Sequence, residues 1–429
     1  MPDRFSERGH MSVTFSPKTR SENQAAAPEN GNKMGAPEQS TEAAAPENRN
    51  GPDTNESGAP EQSTEAAAPE NRNKMAAPEQ STEAGAPENR NGPDANESDA
   101  PEQVLLGQTG LSVSRAGFGV LPMGPSQLAL PVEEGARLIS YAYDAGINFF
   151  DTAQYYRTYP YLRAAFHQGQ DVIICSKSLA ADYDGMMAAI EEARRELDRD
   201  VIDIFLMHEV RTGQLPQRAR AWEALQDARA RGWIRACGLS THHVNVAAAA
   251  AKMRELDVVF PLLNYAGLGI RTCDARATDP HAGAASERFA SAEEMLQAIR
   301  LCNHAGKGVF TMKAFGGGSL TAHYQKALDY VFGQPEIQSV MIGFGRISEI
   351  NDLLAYLAGL LSPAYNPDIS HKRIHINQED CEGCGACRAV CPAGAIFWNQ
   401  AGLAEADPGR CLTCGYCTPA CPVRAIIMY

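Results

Sequence analysis

Between Phe15 and Phe118 the chain contains no Phe, Tyr or Trp. Ala, Pro, Glu, Asn, Gly and Ser dominate that stretch, which therefore cannot bury enough apolar surface to offset the entropy of ordering it. Residues 1–102 are accordingly expected to be disordered. The segment NKMGAPEQSTEAAAPENRNGPDTNES, beginning at Asn32, returns at Asn73 as NKMAAPEQSTEAGAPENRNGPDANES, a period of 41 residues. Neither copy has the Leu, Ile, Val or aromatic face that stacked repeats need, which excludes a solenoid and leaves a tandemly duplicated low-complexity tail.

Long apolar runs are also missing. No stretch of eighteen apolar residues occurs, which excludes a membrane-spanning helix, and MPDRFSERGH is too polar to serve as a signal peptide. A cytoplasmic protein with no membrane partner is the expectation. Positive charge is scarce: residues 1–102 hold nine Lys and Arg against nineteen Asp and Glu, ten of the chain's fourteen net negative charges. The rest is near neutral, so a nucleic-acid partner is not expected.

From Leu105 to Leu360 short apolar runs alternate with amphipathic stretches. The runs are SRAGFGV, INFFDTA, DVIICSK, IDIFLMH, IRACGLST, VVFPLLN, GVFTMKAFG and IQSVMIGF; between them lie segments such as GMMAAIEEARRELD and ISEINDLLAYLAGL with apolar residues at helical spacing. Eight strand–helix units in about 250 residues are what a (β/α)8 barrel requires, and the barrel is placed at 103–362. An open doubly wound sheet is the alternative, but no GxGxxG follows the first run to support it. VLLGQTGLSV, with a turn at Gln108 to Gly110, reads as a hairpin capping the bottom of the barrel, and Gly267 to Ala290 reads as a long irregular connection on the face where strands end.

In such barrels chemistry sits at the strand ends. FFDTA ends in Asp151 with Tyr156 five residues on, IICSK ends in Lys177 and FLMH ends in His208. Each residue alone has an ordinary structural reading, and Tyr155 stands beside Tyr156 as a rival. Together they compose a proton-transfer device: a Lys ammonium favours phenolate and pulls a tyrosine's pKa down, Asp151 holds Lys177 charged, and His208 orients a carbonyl. That arrangement suits hydride transfer between a nicotinamide and a carbonyl or alcohol.

On the residues LGQTGLSVSRAGFG, FDTAQYY, IICSK, DIFLMH and GLST, the chain from about Val104 to Leu360 resembles the aldo-keto reductase family. The resemblance implies Asp151, Tyr156, Lys177 and His208 as the catalytic tetrad. It also implies a nicotinamide pocket, for NADP(H) or NAD(H), lined by Gly119, Ser240, Thr241 and Asn264. Phe260 stands where many members have a glutamine that binds the carboxamide, and Met312 where many have a tyrosine stacked on the ring. GFGRIS loosely resembles the family's nucleotide-phosphate segment, in which Arg346 either pairs with a phosphate or faces solvent at a helix N-terminus.

CEGCGACRAVCP at Cys381 and CLTCGYCTPACP at Cys411 both fit C-x2-C-x2-C-x3-C-P. By this spacing three cysteines wrap one [4Fe–4S] cube and the fourth ligates the other cube. One cluster then takes Cys381, Cys384, Cys387 and Cys421; the other takes Cys411, Cys414, Cys417 and Cys391. Zinc and disulfides are the alternatives, but zinc wants two paired CxxC units rather than four-cysteine sets each followed by proline. PAGAIFW and PVRAIIMY, one after each set, read as core strands of a duplicated module, and residues 370–429 resemble bacterial two-cluster ferredoxins. Cys175, Cys237 and Cys302 read as small buried apolar residues.

Barrel followed by two-cluster module is similar to an iron-sulfur subset of the aldo-keto reductases, and the YRTY at Tyr156 to Tyr159 agrees with that subset. The resemblance implies carbonyl or alcohol redox chemistry on a small substrate in the barrel, with one-electron transfer through the clusters to a flavoprotein or ferredoxin partner. The alternative is an electron-transfer adaptor whose barrel is a scaffold that binds no nicotinamide. Because nothing in the repeats looks like an anchor, removing residues 1–102 is expected to leave turnover and iron content unchanged; loss of either in the truncated protein would contradict a spacer role.

Overall fold

The computed structural model describes residues 100–428 apart from 168, 274–286, 370, 414 and 424. The repeat region, up to residue 99, lies outside the described residues. The chain opens with β1 (Gln103–Leu105) and β2 (Ser112–Ser114), an antiparallel hairpin. Then come the barrel strands β3 (Ala116–Gly119), β4 (Phe149–Asp151), β5 (Ile173–Ser178), β6 (Ile202–Met207), β7 (Ile234–Thr241) and β8 (Val258–Pro261). A second hairpin follows, of β9 (Arg271–Cys273) and β10 (Glu287–Phe289), before the last barrel strands, β11 (Gly308–Met312) and β12 (Ser339–Gly343).

Each strand pairs in parallel with its neighbours, and β12 returns to β3 with Gly343 opposite Gly119, so eight strands close a barrel. The eight apolar runs of the sequence are these strands. They read as continuous runs because parallel strands are covered on both faces. Phe149, Ile173, Cys175, Ile204, Leu206, Ala236, Val258, Phe260, Phe310 and Met341 fill the interior, and Leu106, Leu111 and Val113 of the first hairpin plug its bottom. Phe260 and Phe310 stack at 4.2 Å between centroids. The helices pack outside, set by ordinary signals: Asp182 accepts from Gly185 N to start Tyr183–Glu196, and Ser291 and Glu294 form a reciprocal capping box on Ala292–His304.

One expectation needs correction. The connection after β8 is not irregular throughout, since β9 and β10 pair its two ends at Arg271–Cys273 and Glu287–Phe289; its middle, 274–286, lies outside the described residues. Cys175, Cys237 and Cys302 are fully buried, as their apolar reading requires.

The C-terminal segment is a small α+β module. β13 (Ile374–Ile376) pairs antiparallel with β16 (Ile426–Met428), and β14 (Ile396–Trp398) with β15 (Ala404–Ala406). The two anticipated core runs supply β14 and β16. Two short helical turns, Ala386–Ala389 and Cys417–Ala420, carry cysteines from the two sets.

Closure depends on close backbone approach at Gly238 in β7, where a Cβ would stand 1.9 Å from the Val258 carbonyl oxygen. Gly238→Ala is therefore expected to disturb the β7–β8 register at a cost of about 1–3 kcal/mol; a melting temperature equal to wild type would refute that.

Candidate active site and cluster module

Three strand ends bring four side chains together at the mouth. Lys177, in the last part of β5, is completely buried, and its ammonium donates to Asp151 Oδ1 at 2.7 Å, Asp151 Oδ2 at 2.8 Å and the Thr152 carbonyl at 2.7 Å. Three acceptors satisfy all three of its protons. Burial pulls the Lys177 pKa down, but the Asp151 carboxylate overcomes it and lifts the ammonium above its usual range, so this lysine stays charged.

Tyr156 lies on the short turn Gln154–Tyr156 after β4, with its ring centroid 4.7 Å from Lys177 Nζ and its hydroxyl 3.4 Å from His208 Nε2. The structure thereby separates the two tyrosines. Tyr155 points away, accepting from Asn377 Nδ2 at 2.9 Å and donating toward Asp380 Oδ1 at 3.4 Å. Lys177 draws the Tyr156 pKa down as expected, but burial outweighs it, with Asp151 and Glu209 adding to the rise, and the phenol is pushed up to about 12. The expected net lowering is thus corrected: Tyr156 is held as an acid. Burial, and then the charges of Lys177, Arg218 and Lys313, depress His208 well below its usual range and keep it neutral. Its Nδ1 is buried without a partner among the described residues.

The residues expected around a nicotinamide are less uniform. Gly119 pairs with Asp151 on one side and Gly343 on the other, at the rim. Ser240 Oγ accepts from Glu209 N at 2.8 Å, while Thr241 Oγ1 donates to Val210 O at 2.7 Å and accepts from His243 N at 2.9 Å. The Asn264 amide closes on its own loop, both donating to and accepting from Leu268. Arg346 is exposed at the start of Ile347–Leu357, and its side chain makes no cap there. Instead Glu349 accepts from Gly345 N at 2.8 Å and pairs with Lys372 at 2.9 Å.

Arg218 gave no signal in the sequence, where it is one of several arginines in RTGQLPQRARAW. It is buried, and its guanidinium donates to the carbonyls of His208, Ser178 and Ala180, bracing the ends of β5 and β6.

Of the predicted cluster ligands, Cys387, Cys417 and Cys421 are buried in one apolar nucleus with Ile376, Ile396, Ala404, Ala425 and Ile426, and Cys381 and Cys391 pack against it. Cys384 is exposed, Cys411 is half-buried, and Cys414 lies outside the described residues. Cys421, thirty-four positions along the chain, is near Cys387: burial, and then the Cys421 and Cys381 thiols, push the Cys387 thiol up. Backbone N–H groups point at sulfur, with Ala395 N 3.2 Å from Cys391 Sγ and Ala404 N 3.4 Å from Cys381 Sγ. Soft thiolates, apolar cover and amide donors to sulfur are the donor set an iron–sulfur cube needs.

The module is seated on the barrel mouth. Tyr155 meets Asn377 and Asp380, Arg271 Nη2 donates to the Pro422 carbonyl at 2.9 Å, Ser319 Oγ donates to the Gly415 carbonyl at 3.3 Å, and Met428 N donates to the Gly317 carbonyl at 3.2 Å. Lys313, Gly316 and Gly317 of the barrel line a narrow seam with Thr418, Cys421 and Ile426. Asp380 also faces Glu209, the residue after His208; burial is the main cause of its raised pKa, and the Glu209 charge adds to it. Among the described residues no helix is long and apolar enough to cross a membrane.

Residues 116–331 match the Aldo/keto reductase family, and residues 380–425 match the 4Fe-4S dicluster domain. The chain is similar to L-galactose dehydrogenase of Arabidopsis thaliana, 23% identical over 284 residues that span 60% of this chain and 88% of that protein. It is 24% identical to D-threo-aldose 1-dehydrogenase of a Pseudomonas species over 192 residues, 36% of this chain and 58% of that one. Among solved structures, an aldo-keto reductase of Pseudomonas aeruginosa aligns with a TM-score of 0.48 at 24% identity, covering 61% of this chain and 95% of that one. With its barrel matched over 116–331 and its cysteine-rich end over 380–425, the chain belongs to the aldo/keto reductase family and carries a C-terminal 4Fe-4S dicluster domain.

Proposed function

We propose that the protein interconverts a small carbonyl compound and its alcohol at the barrel mouth, with Tyr156 as proton donor and acceptor. The observation that carries this reading is the buried Lys177–Asp151 pair beneath a tyrosine whose hydroxyl stands 3.4 Å from a neutral histidine. In reduction, the carbonyl carbon gains a hydride and the oxygen takes the Tyr156 proton; in oxidation both leave. His208, uncharged, directs the substrate oxygen toward the phenol without competing as an acid. Lys177 stabilises the phenolate left behind, and Asp151 keeps Lys177 in place. Two relatives named as dehydrogenases, of L-galactose and of a D-threo-aldose, support a polyol or sugar-like substrate class.

A nicotinamide, when bound, supplies the hydride. Ser240 fits one side of it: its hydroxyl accepts from Glu209 N, and the hydroxyl proton has no acceptor among the described residues, so it can donate to a carboxamide. Phe260, buried on Phe310, offers no amide there. Glu349 already holds Gly345 N, which favours a nucleotide without an additional phosphate, NAD(H) over NADP(H).

Phe260 in the interior, where it offers no amide to a carboxamide, favours the second reading, an electron-transfer adaptor. In either case the tail is proposed to hold two [4Fe–4S] clusters with crossed ligands and to exchange single electrons with a flavoprotein or ferredoxin.

Two experiments decide between these readings. Saturable binding of NADH by the anaerobically purified protein, together with loss of carbonyl reduction by about 10²–10⁴-fold in Tyr156→Phe, supports the enzyme; absence of binding supports the adaptor. Because the phenol is pushed up to about 12, reduction should be nearly flat across neutral pH, while oxidation, which needs phenolate, should rise about tenfold per pH unit below that value. An oxidation rate that levels off near neutrality would contradict a phenol held this high. For the tail, Cys384→Ser and Cys421→Ser should perturb one and the same EPR signal, and Cys391→Ser and Cys411→Ser the other, in a protein carrying about eight irons; pairing of Cys421→Ser with Cys411→Ser would contradict crossed ligation.

A further inference from the structure

Three non-glycine residues at the mouth have left-handed backbone: Arg157 at φ 56°, Glu209 at φ 47° and Lys313 at φ 61°. They directly follow Tyr156, His208 and Met312. Such conformations are costly for these side chains and persist only where the surroundings over-determine them. At two of these places the surroundings include the C-terminal module. Tyr155, two residues before Arg157, bonds Asn377 and Asp380, and Lys313 shares the seam with Thr418 and Cys421.

The module residues concerned adjoin predicted cluster ligands. Asp380 precedes Cys381, and Thr418 follows Cys417. Within the loop itself, Thr152 and Thr158 close the base through their hydroxyls at 2.7 Å, and Gln154 is tied to Ser178 and Glu192. Tyr156 reaches inward and Tyr155 outward, so the outer side of the turn is tied to the tail through one hydroxyl.

We propose that the cluster module clamps the strained mouth of the barrel and that Tyr155 is a positioning residue, whose hydroxyl, bonded to Asn377 and Asp380, fixes the turn that aims Tyr156 into the site. The geometry of the proton donor then depends on the folded Cys381–Cys387 loop. This rests on the assignment of Tyr156 as proton donor.

The test uses the full-length, cluster-loaded protein and two variants that break the bond from opposite sides, Tyr155→Phe and Asn377→Ala. The expected result is unchanged iron content and melting temperature, kcat for carbonyl reduction lower by about tenfold with KM within about twofold, and faster deuterium uptake over 153–158 in both. Wild-type kcat and wild-type uptake in Tyr155→Phe would overturn the proposal, as would a kcat or uptake defect in one variant that the other lacks when both keep their clusters. If Tyr155→Phe loses its clusters, Asn377→Ala carries the test. Should the wild-type protein show no carbonyl turnover, the enzyme reading fails but the clamp is still decided, since faster uptake over 153–158 in the variants supports it and unchanged uptake overturns it.

Discussion

A single charge buried at the top of the barrel organises the rest. The ammonium of Lys177 has no solvent exposure, and a lone cation in that setting would cost several kcal/mol. It survives because both oxygens of Asp151 and the carbonyl of Thr152 meet it at hydrogen-bonding distance. The same charge draws on Tyr156, helps keep His208 neutral, and sits 5.5 Å from the ring of Phe260 on the dry side. Everything that touches the mouth is arranged around a cation that cannot leave.

The barrel was legible in the sequence because its strands are covered on both faces, which turns each into an uninterrupted apolar run with a chemically distinct residue at its end. The cysteine sets were legible because metal ligation dictates spacing. The choice of Tyr156 over Tyr155 came from the family resemblance alone, since adjacent residues on a tight turn point in opposite directions and only tertiary neighbours decide which one meets Lys177. The direction of the Tyr156 shift was not legible. A sequence displays the nearby lysine but not the depth of burial, and burial is the larger effect.

Other features had no local signature at all. Arg218 braces three carbonyls that belong to one strand and two loops, and Tyr155 meets residues more than two hundred positions away. Asn264, expected at a cofactor, also ties its amide to the turn that carries it. An asparagine amide has two N–H donors and two acceptor lone pairs, so it can brace its own loop and still face a ligand, a local role that spacing does not encode.

Part of the joint between barrel and tail is main chain. Gly318 lies so close to the C-terminal strand that a Cβ there would stand 2.6 Å from the Met428 carbonyl oxygen, and one on Gly415 would stand 3.2 Å from the Cα of Ser319. Long side chains act as springs that repack under load, whereas peptide groups in direct contact have almost no slack. At those points the seam behaves less like a hinge than like a weld: with no side chain between the two backbones, drift in surface sequence has little means of changing their separation.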